Sequence, residues 1–381
     1  MRKDLTGRRL RAGIVGGGRG AFIGAVHRIA AELDGQALLV AGALSSDPQT
    51  ARESAAGWYL DRSYSDFGDM ARAEAAREDG IDFVIIATPN HMHYPVAKAF
   101  LESGIPVVCD KPLAFSVQEA EALVELVVRS GHLFALTHNY TGYPAVREAR
   151  DRVRRGLLGE IRKVVVEYHQ DWLLSSVEST GNKQAAWRTD PSRAGLSGCV
   201  ADIGTHAENL LEYITGCKII AVCADLSSFG PNRILDDDAN ILLRLQGGGK
   251  GSMSCSQIAC GEENELSIRV YGSQAALEWR QQDAGTLIFK PAGRSWERVR
   301  VAGPDVSAAS RAASRVPAGH PEGYLEAFAV LYREVIEDLR RLALGEPEQG
   351  GYPTVHDGLR GMKFIAGAVA SSKLGGVWLP L

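Results

Sequence analysis

The sequence predicts an α/β protein in two parts: a doubly wound parallel-sheet domain, then an α+β domain whose sheet is mainly antiparallel. Three observations predict it. Through about residue 138, short apolar runs alternate with segments of helical periodicity, the mark of a parallel sheet covered by helices. A glycine-rich turn separates the first apolar run from the first helical stripe. Beyond Pro144 the order changes: strand-like runs follow one another, and two of them flank Gly247-Gly248-Gly249.

Residues 10–15 (LRAGIV) form the first strand. Residues 21–33 then carry Phe22, Ile23, Val26, Ile29, Ala30 and Leu33 as a helical stripe. Residues 37–44 (ALLVAGAL) are the second strand, and Asp47-Pro48 opens a helix, with proline tolerated in its first turn. Residues 81–87 (IDFVIIA) are almost wholly apolar, as a central parallel strand must be. Residues 105–109 (IPVVC) and 133–137 (LFALT) are further strands. Between them Ser116-Val117-Gln118-Glu119 is a capping box before the stripe Ala120, Leu123, Val124 and Val127. These elements define a first domain over 1–139.

The second domain, 140–381, starts with a helix from Pro144 to near Gly156. Strands follow at 161–168, 218–227, 238–246, 250–258, 265–271 and 275–280, and helices at about 321–343 and 356–373. Residues 302–319, rich in Ala, Ser, Pro and Gly, read as a long surface loop.

A length of 381 residues fits two or three domains of about 150. Lys and Arg total 42 against 46 Asp and Glu, a net charge of −4. Without a basic excess to neutralise a phosphate backbone, no nucleic-acid partner is expected. No run of about 18 apolar residues offers a membrane span. The six cysteines include no C-x-x-C pair, and no secretory signal follows the basic Arg2, Lys3, Arg8, Arg9 and Arg11. Reduced thiols and a cytoplasmic location are expected. The nine histidines form no H-x-x-x-H or Cys/His cluster, so no metal site is expected. Asp236-Asp237-Asp238 lacks the calcium-loop pattern and reads as a solubilising strand entrance.

Glycine is the compositional outlier, with 42 residues. Gly16-x-Gly18-x-x-Ala21 matches the dinucleotide fingerprint, lying between a strand and a helix. Glycine there permits the tight turn and close approach of a pyrophosphate, whose charge the helix N-terminus meets. Arg19 and Gly20 complete the loop, and Gly20 with Gly24 makes it longer than usual. An acid at the end of the second strand would hold the ribose 2′-hydroxyl. This chain has Leu44-Ser45-Ser46-Asp47, with Ser45 near the acid's place, Asp47 suited to capping a helix, and Arg19 or Arg52 within reach of a 2′-phosphate. The cofactor reads as NAD or NADP.

Ala87-Thr88-Pro89-Asn90-His91-Met92-His93 and Cys109-Asp110-Lys111-Pro112 fall at carboxyl ends of parallel strands, where open α/β sheets bind ligands. Downstream, Gly195-Leu196-Ser197-Gly198 leads to Asp202 and His206, four residues apart and so on one face of a helix. Trp187 and Arg188, just upstream, form a candidate pocket wall, with an indole for an apolar ring face and a guanidinium for hydroxyls or an acid.

On these residues the chain resembles the glucose–fructose oxidoreductase/inositol dehydrogenase (Gfo/Idh/MocA) family. The glycine loop, Thr88-Pro89-Asn90 with His93, Lys111-Pro112, Gly159-Glu160-Ile161 and the Asp202/His206 pair carry the resemblance, with Asp237-Asp238 and Val270-Tyr271-Gly272 in support. Asp110 stands where the family usually has Glu before the Lys-Pro pair. The resemblance implies an N-terminal Rossmann domain and a C-terminal domain with a large open sheet. It implies NAD(P)-dependent oxidation of a ring secondary alcohol of a sugar, glycoside or cyclitol, and a homodimer or homotetramer. Lys111, Asp202 and His206 match the family's catalytic positions. Gly16, Gly18, Arg19, Gly20, Ala21, Ser45, Thr88, Pro89, Asn90, His93 and Lys111 are the expected cofactor contacts. Lys111, Tyr140, Trp187, Arg188, Asp202 and His206 are the expected substrate contacts, joined by His320 of the Gly319–Tyr324 segment.

The chemistry agrees. An imidazole with an ordinary pKa of about 6.5 suits His206 to general-base work at neutral pH. Asp202 would orient the ring and favour its charged form. The Lys111 ammonium would stabilise a developing alkoxide. Gly204 is expected to leave room for the nicotinamide ring. The resemblance also admits two alternatives: an NAD-dependent glycoside-cleaving enzyme of the same fold, or a non-catalytic regulator that senses a dinucleotide or sugar.

Overall fold

The computed structural model describes residues 5–381, so Arg2 and Lys3 of the basic N-terminal group lie outside the described residues. The chain divides into two compact units, Met1–Asn139 with Phe328–Leu359, and Tyr140–Ala327 with Arg360–Leu381.

In the first unit β1 (Leu10–Gly16), α1 (Phe22–Glu32), β2 (Ala37–Ala43), α2 (Pro48–Gly57), β3 (Arg62–Ser63), α3 (Phe67–Ala76), β4 (Phe83–Ala87), α4 (His93–Glu102), β5 (Val107–Cys109), α5 (Val117–Ser130) and β6 (Phe134–Leu136) alternate. The strands form one parallel sheet in the order β3-β2-β1-β4-β5-β6. This is the doubly wound order, and its topological switch lies between β1 and β4. All five residues of β4 are buried, as its apolar run requires. Ser116 Oγ accepts from the Glu119 amide at 3.2 Å, and Glu119 returns a carboxylate oxygen to the Phe115 amide at 3.1 Å. The capping box therefore forms with its return bond one residue earlier than the usual pattern.

The second unit holds α6 (Pro144–Arg154), β7 (Ile161–His169), α7 (Lys183–Arg188), α8 (Pro191–Ala194), α9 (Thr205–Thr215), β8 (Ile219–Ser227), β9 (Asp238–Leu245), β10 (Lys250–Ser256), β11 (Glu265–Gly272), β12 (Ala275–Arg280), β13 (Thr286–Pro291), β14 (Glu297–Arg300) and α10 (Ala308–Ala313). Its nine strands run β14-β13-β12-β11-β7-β10-β9-β8-β15, where β15 is Leu379–Pro380. Every pair is antiparallel except β7 with β10. Along β9, Ala239, Ile241, Leu243 and Leu245 are buried while Leu242 is exposed, the alternation of a sheet with one covered face. The expected loop over 302–319 contains α10, whose first turn Ser307 caps. β13 and β14 extend the sheet past the last strand read from the sequence.

Two long helices, α11 (Tyr324–Leu344) and α12 (Val355–Lys373), have residues in both units. This differs from the expected division into 1–139 and 140–381, because Phe328–Leu359 groups with the first unit. There Tyr332 lies against Phe83 of β4, with ring centroids 6.4 Å apart, and its hydroxyl meets His27 Nδ1 of α1 at 2.7 Å. The Leu136 amide of β6 donates to the Pro353 carbonyl at 2.8 Å. An amphipathic stripe records that a helix is covered on one side; it does not record by which sheet. Among the described residues no helix is long and apolar enough to cross a membrane.

Candidate active site

The first unit offers a cradle at the switch point. Gly16 has φ +79°, and a Cβ there would lie 2.7 Å from the Ala87 carbonyl oxygen and 2.8 Å from Thr88 Cγ2. The turn after β1 thus packs directly on the Thr88 end of β4. A Cβ on Gly18 would lie 2.5 Å from the Leu44 carbonyl oxygen at the end of β2. Ala21 precedes α1 and offers no capping side chain, and the first turn carries no acidic residue. The N-terminus of α1 is therefore left to an anion. Thr88 Oγ1 is buried without a partner in the same place. Cradle, bare helix end and orphan hydroxyl fit a dinucleotide pyrophosphate. Helix–strand contact, the role usual for the third residue of the fingerprint, falls to Gly24 rather than Ala21: a Cβ on Gly24 would lie 2.1 Å from the Gly17 carbonyl oxygen.

At the end of β2, Asp47 is committed to α2, accepting from the Thr50 amide at 2.8 Å and hydroxyl at 2.6 Å. Those bonds hold its carboxyl below the usual range. Half-buried Ser45 accepts from the Asp47 amide at 3.2 Å. Arg19 is exposed, and its amide donates to Ser54 Oγ at 3.4 Å.

Lys111 follows β5 through a cis peptide bond to Pro112, and Asn90 lies buried in the short turn after β4. His93 is buried, with Nδ1 2.7 Å from the Pro112 carbonyl oxygen and Nε2 2.9 Å from that of Thr88. Expected as a cofactor contact, it sits between these two carbonyls, and the single N–H of the neutral ring donates to one of them, at the junction of the loops after β4 and β5. Asp110 accepts from Thr137 Oγ1 at 3.0 Å and lies 3.8 Å from His27 Nε2. Burial opposes its ionisation, but His27 and Lys111 outweigh burial and hold the carboxyl well below the usual range.

In the second unit Val200–Gly204 is a π-helical turn running into α9. Asp202 lies in the π turn and His206 in the α-helix, so the single α-helical face expected from their spacing is interrupted. Such turns widen the backbone and recur at functional sites. Asp202 Oδ2 accepts from Arg188 Nε at 3.2 Å and from Gln257 Nε2 at 2.9 Å. The Tyr140 ring stands edge-on to His206, centroids 4.9 Å apart, and its hydroxyl meets that of Tyr168 at 2.5 Å. Burial pushes the Tyr140 hydroxyl up to about 12, so it stays a neutral hydrogen-bonding group. Asn264 Oδ1 then accepts from Tyr168 at 2.9 Å and from Gln170 at 2.5 Å. The Arg188 guanidinium carbon lies 4.3 Å from the Trp187 ring centroid and 5.9 Å from that of Trp172. Arg188 thus meets both Trp187 and Asp202, and Tyr140 meets His206.

Three expectations change. Gly204 leaves no room for a ligand ring on its Cβ side: a Cβ there would lie 3.1 Å from Val200 Cγ1 and 3.5 Å from Cys255 Sγ of β10, so the glycine lets the helix settle on the sheet. His320 lines a cavity of about 690 Å³ with Tyr143, Gln281, Arg298, Arg300 and Tyr324, and neither Asp202 nor His206 is among its walls. Asp236 and Asp237 are structural groups, not a solubilising run. Asp236 accepts from Ser197 Oγ (3.0 Å), the Gly198 amide (2.9 Å) and the Val200 amide (2.9 Å), which caps the π turn. Asp237 accepts from the Phe229 and Gly230 amides and from Arg233. Gln257, Asn264, Gln170, Tyr168 and Trp172 were not singled out from sequence, because isolated polar or aromatic residues near strand ends carry no spacing signal. Among the described residues no group of His, Cys, Asp and Glu is placed to hold a metal ion.

A glycine cradle at the switch point of a doubly wound sheet, followed by an α+β unit bearing an Asp/His pair, defines an NAD(P)-dependent oxidoreductase of two-unit design. Residues 10–138 match the oxidoreductase family with NAD-binding Rossmann fold, and residues 146–278 match the Gfo/Idh/MocA C-terminal domain. An oxidoreductase from Sinorhizobium meliloti is 45% identical with a TM-score of 0.88, covering 98% of this chain and 99% of that one. An inositol dehydrogenase homolog from Azotobacter vinelandii, complexed with NADH and myo-inositol, is 33% identical with a TM-score of 0.90, covering 100% of this chain and 99% of that one. Levoglucosan dehydrogenase of Pseudarthrobacter phenanthrenivorans is 28% identical over 298 residues, 70% of this chain and 73% of that protein. The chain belongs to the Gfo/Idh/MocA oxidoreductase family and binds NAD(P).

Proposed function

We propose that the protein transfers a hydride between a ring secondary alcohol of a sugar, glycoside or cyclitol and NAD(P). The bound nicotinamide supplies the hydride acceptor or donor. His206 takes the hydroxyl proton as general base. Asp202 stabilises the imidazolium that results, and Lys111 stabilises the alkoxide as charge develops. Trp187, Arg188 and Tyr140 contact the substrate. The observation that carries this reading is the anchored Asp202: Arg188 and Gln257 both hold Oδ2, one turn ahead of a histidine packed on Tyr140. The myo-inositol and levoglucosan relatives favour an uncharged polyol.

The test is an assay of purified protein with NAD+ or NADP+ and a panel of polyols, following reduced nicotinamide. His206→Ala and Lys111→Ala are each expected to lower kcat by about 10²–10⁴-fold on a responsive substrate. Near wild-type turnover in both would overturn the assigned roles. Exposed Leu242 and Ile220 on the second unit's sheet also favour a homo-oligomer; a monomer by light scattering would reject it.

A further inference from the structure

The guanidinium of Arg188 is spent on two of its three nitrogens. Nε donates to Asp202 Oδ2 at 3.2 Å. Nη1 donates to the Gln184 carbonyl oxygen at 3.3 Å and to Gln184 Oε1 at 2.7 Å. Nη2 has no hydrogen bond among the described residues. Trp187 and Trp172 flank the group, at 4.3 and 5.9 Å from their ring centroids. The side chains of Arg188 and Asp202 are 22% and 16% exposed, so both are half-buried yet open to a ligand.

This arrangement presents a donor and an acceptor side by side with no net charge. A carboxylate approaching Nη2 also approaches Asp202, and in a partly desolvated site that repulsion is strong. An uncharged pair of neighbouring hydroxyls meets no such conflict. One hydroxyl donates to Asp202, the next accepts from Nη2, and hydrogen bonds to charged groups are the strong ones. The indoles supply apolar faces for the C–H side of the same ring.

We propose that Arg188 and Asp202 act as one reader of two adjacent hydroxyls, selecting an uncharged vicinal diol and rejecting a carboxylate-bearing sugar. The proposal rests on the reading of the Asp202/His206 segment as the substrate site. It makes Arg188 a specificity-determining residue whose charge is already neutralised inside the protein.

The test is calorimetric binding to the full chain saturated with NADH. The probes are a panel of neutral polyols, the monodeoxy counterpart of the tightest binder, and glucuronate. Wild-type protein is expected to bind the diol about tenfold or more tightly than either the monodeoxy analogue or glucuronate. Arg188→Lys keeps the charge but not the fork, and is expected to erase most of the diol-over-deoxy difference. Asp202→Asn leaves the guanidinium charge unopposed and is expected to shift preference about tenfold toward glucuronate. Equal losses for diol and deoxy analogue in Arg188→Lys, tighter wild-type binding of glucuronate, or no binding of any neutral polyol overturns the proposal. Binding that follows the expected pattern without turnover would sink the hydride-transfer reading and leave this one standing.

Discussion

Gly17 and Gly24 touch backbone to backbone: a Cβ on Gly24 would sit 2.1 Å from the Gly17 carbonyl oxygen and 2.4 Å from its Cα. The contact brings α1 down on the turn that follows β1 and fixes where the helix N-terminus points. Gly24→Ala must push the helix away, since neither obstructing atom is on a flexible side chain. A stability loss of about 1–3 kcal/mol is expected, with NADH affinity reduced by tenfold or more in a fluorescence titration. Gly57→Ala is the control, because a Cβ there meets nothing within 4 Å. It should leave both quantities near wild type.

The return of Phe328–Leu359 to the first unit makes a truncation informative. Phe328, Tyr332, Val335, Ile336 and Leu339 are all buried, at 1–4% exposure. Burying each such side chain is worth about 1.5–3 kcal/mol. A chain of residues 1–139 alone is expected to lack a cooperative thermal transition. The same chain joined by a short flexible linker to 328–359 is expected to regain one. Equal melting of the two would show that the returning segment contributes nothing to that unit.

What could be read from the sequence was local. β4 declared itself as an apolar run, α5 through Ser116 and Glu119, and the cofactor loop through glycines set between a strand and a helix. Asp202 and His206 came from a motif, but the π turn that carries Asp202 did not, since a four-residue spacing does not tell one kind of helix from the other. Asp236 looked like any surface acid; its three donors, from Ser197, Gly198 and Val200, lie about 36–39 residues earlier in the chain and meet it only after folding. The grouping of Phe328–Leu359 with the first unit was hidden for a similar reason, because its partners there lie roughly two hundred to three hundred residues away.

Asp236 therefore carries a prediction of its own. Its carboxylate accepts three hydrogen bonds at the start of the segment that bears Asp202, and burial pushes its pKa up against them. Asp236→Ala leaves two backbone amides and a hydroxyl without that acceptor. A cost of about 2 kcal/mol or more is expected. Amides 200–206 should exchange hydrogen faster while those of β4 are unchanged. Uniform acceleration across both units would mean global destabilisation and not a local cap.

His138 is expected to make stability fall in mild acid. It is buried, and burial first, then the Lys111 charge, lowers its pKa to about 3. Unfolded, it would titrate at about 6.5. The unfolded chain thus binds a proton that the folded chain refuses over that window, so stability is complete above about pH 6.5 and falls as pH drops toward 3. By pH 5 the loss is about 2 kcal/mol from this residue. Buried His93, also lowered by burial, adds a loss of the same sign. Asp110 does not contribute in that interval: its lowered pKa costs stability only as pH falls below the unfolded carboxyl's own value of about 4. Urea midpoints at pH 7 and pH 5 are compared between wild type and His138→Gln, because carboxyls raised by burial, such as Asp236, contribute alike to both proteins. His138→Gln is expected to lose about 2 kcal/mol less than wild type between those two pH values, whatever its stability at pH 7. An identical loss in both proteins would mean that the buried imidazole takes up its proton in the folded state.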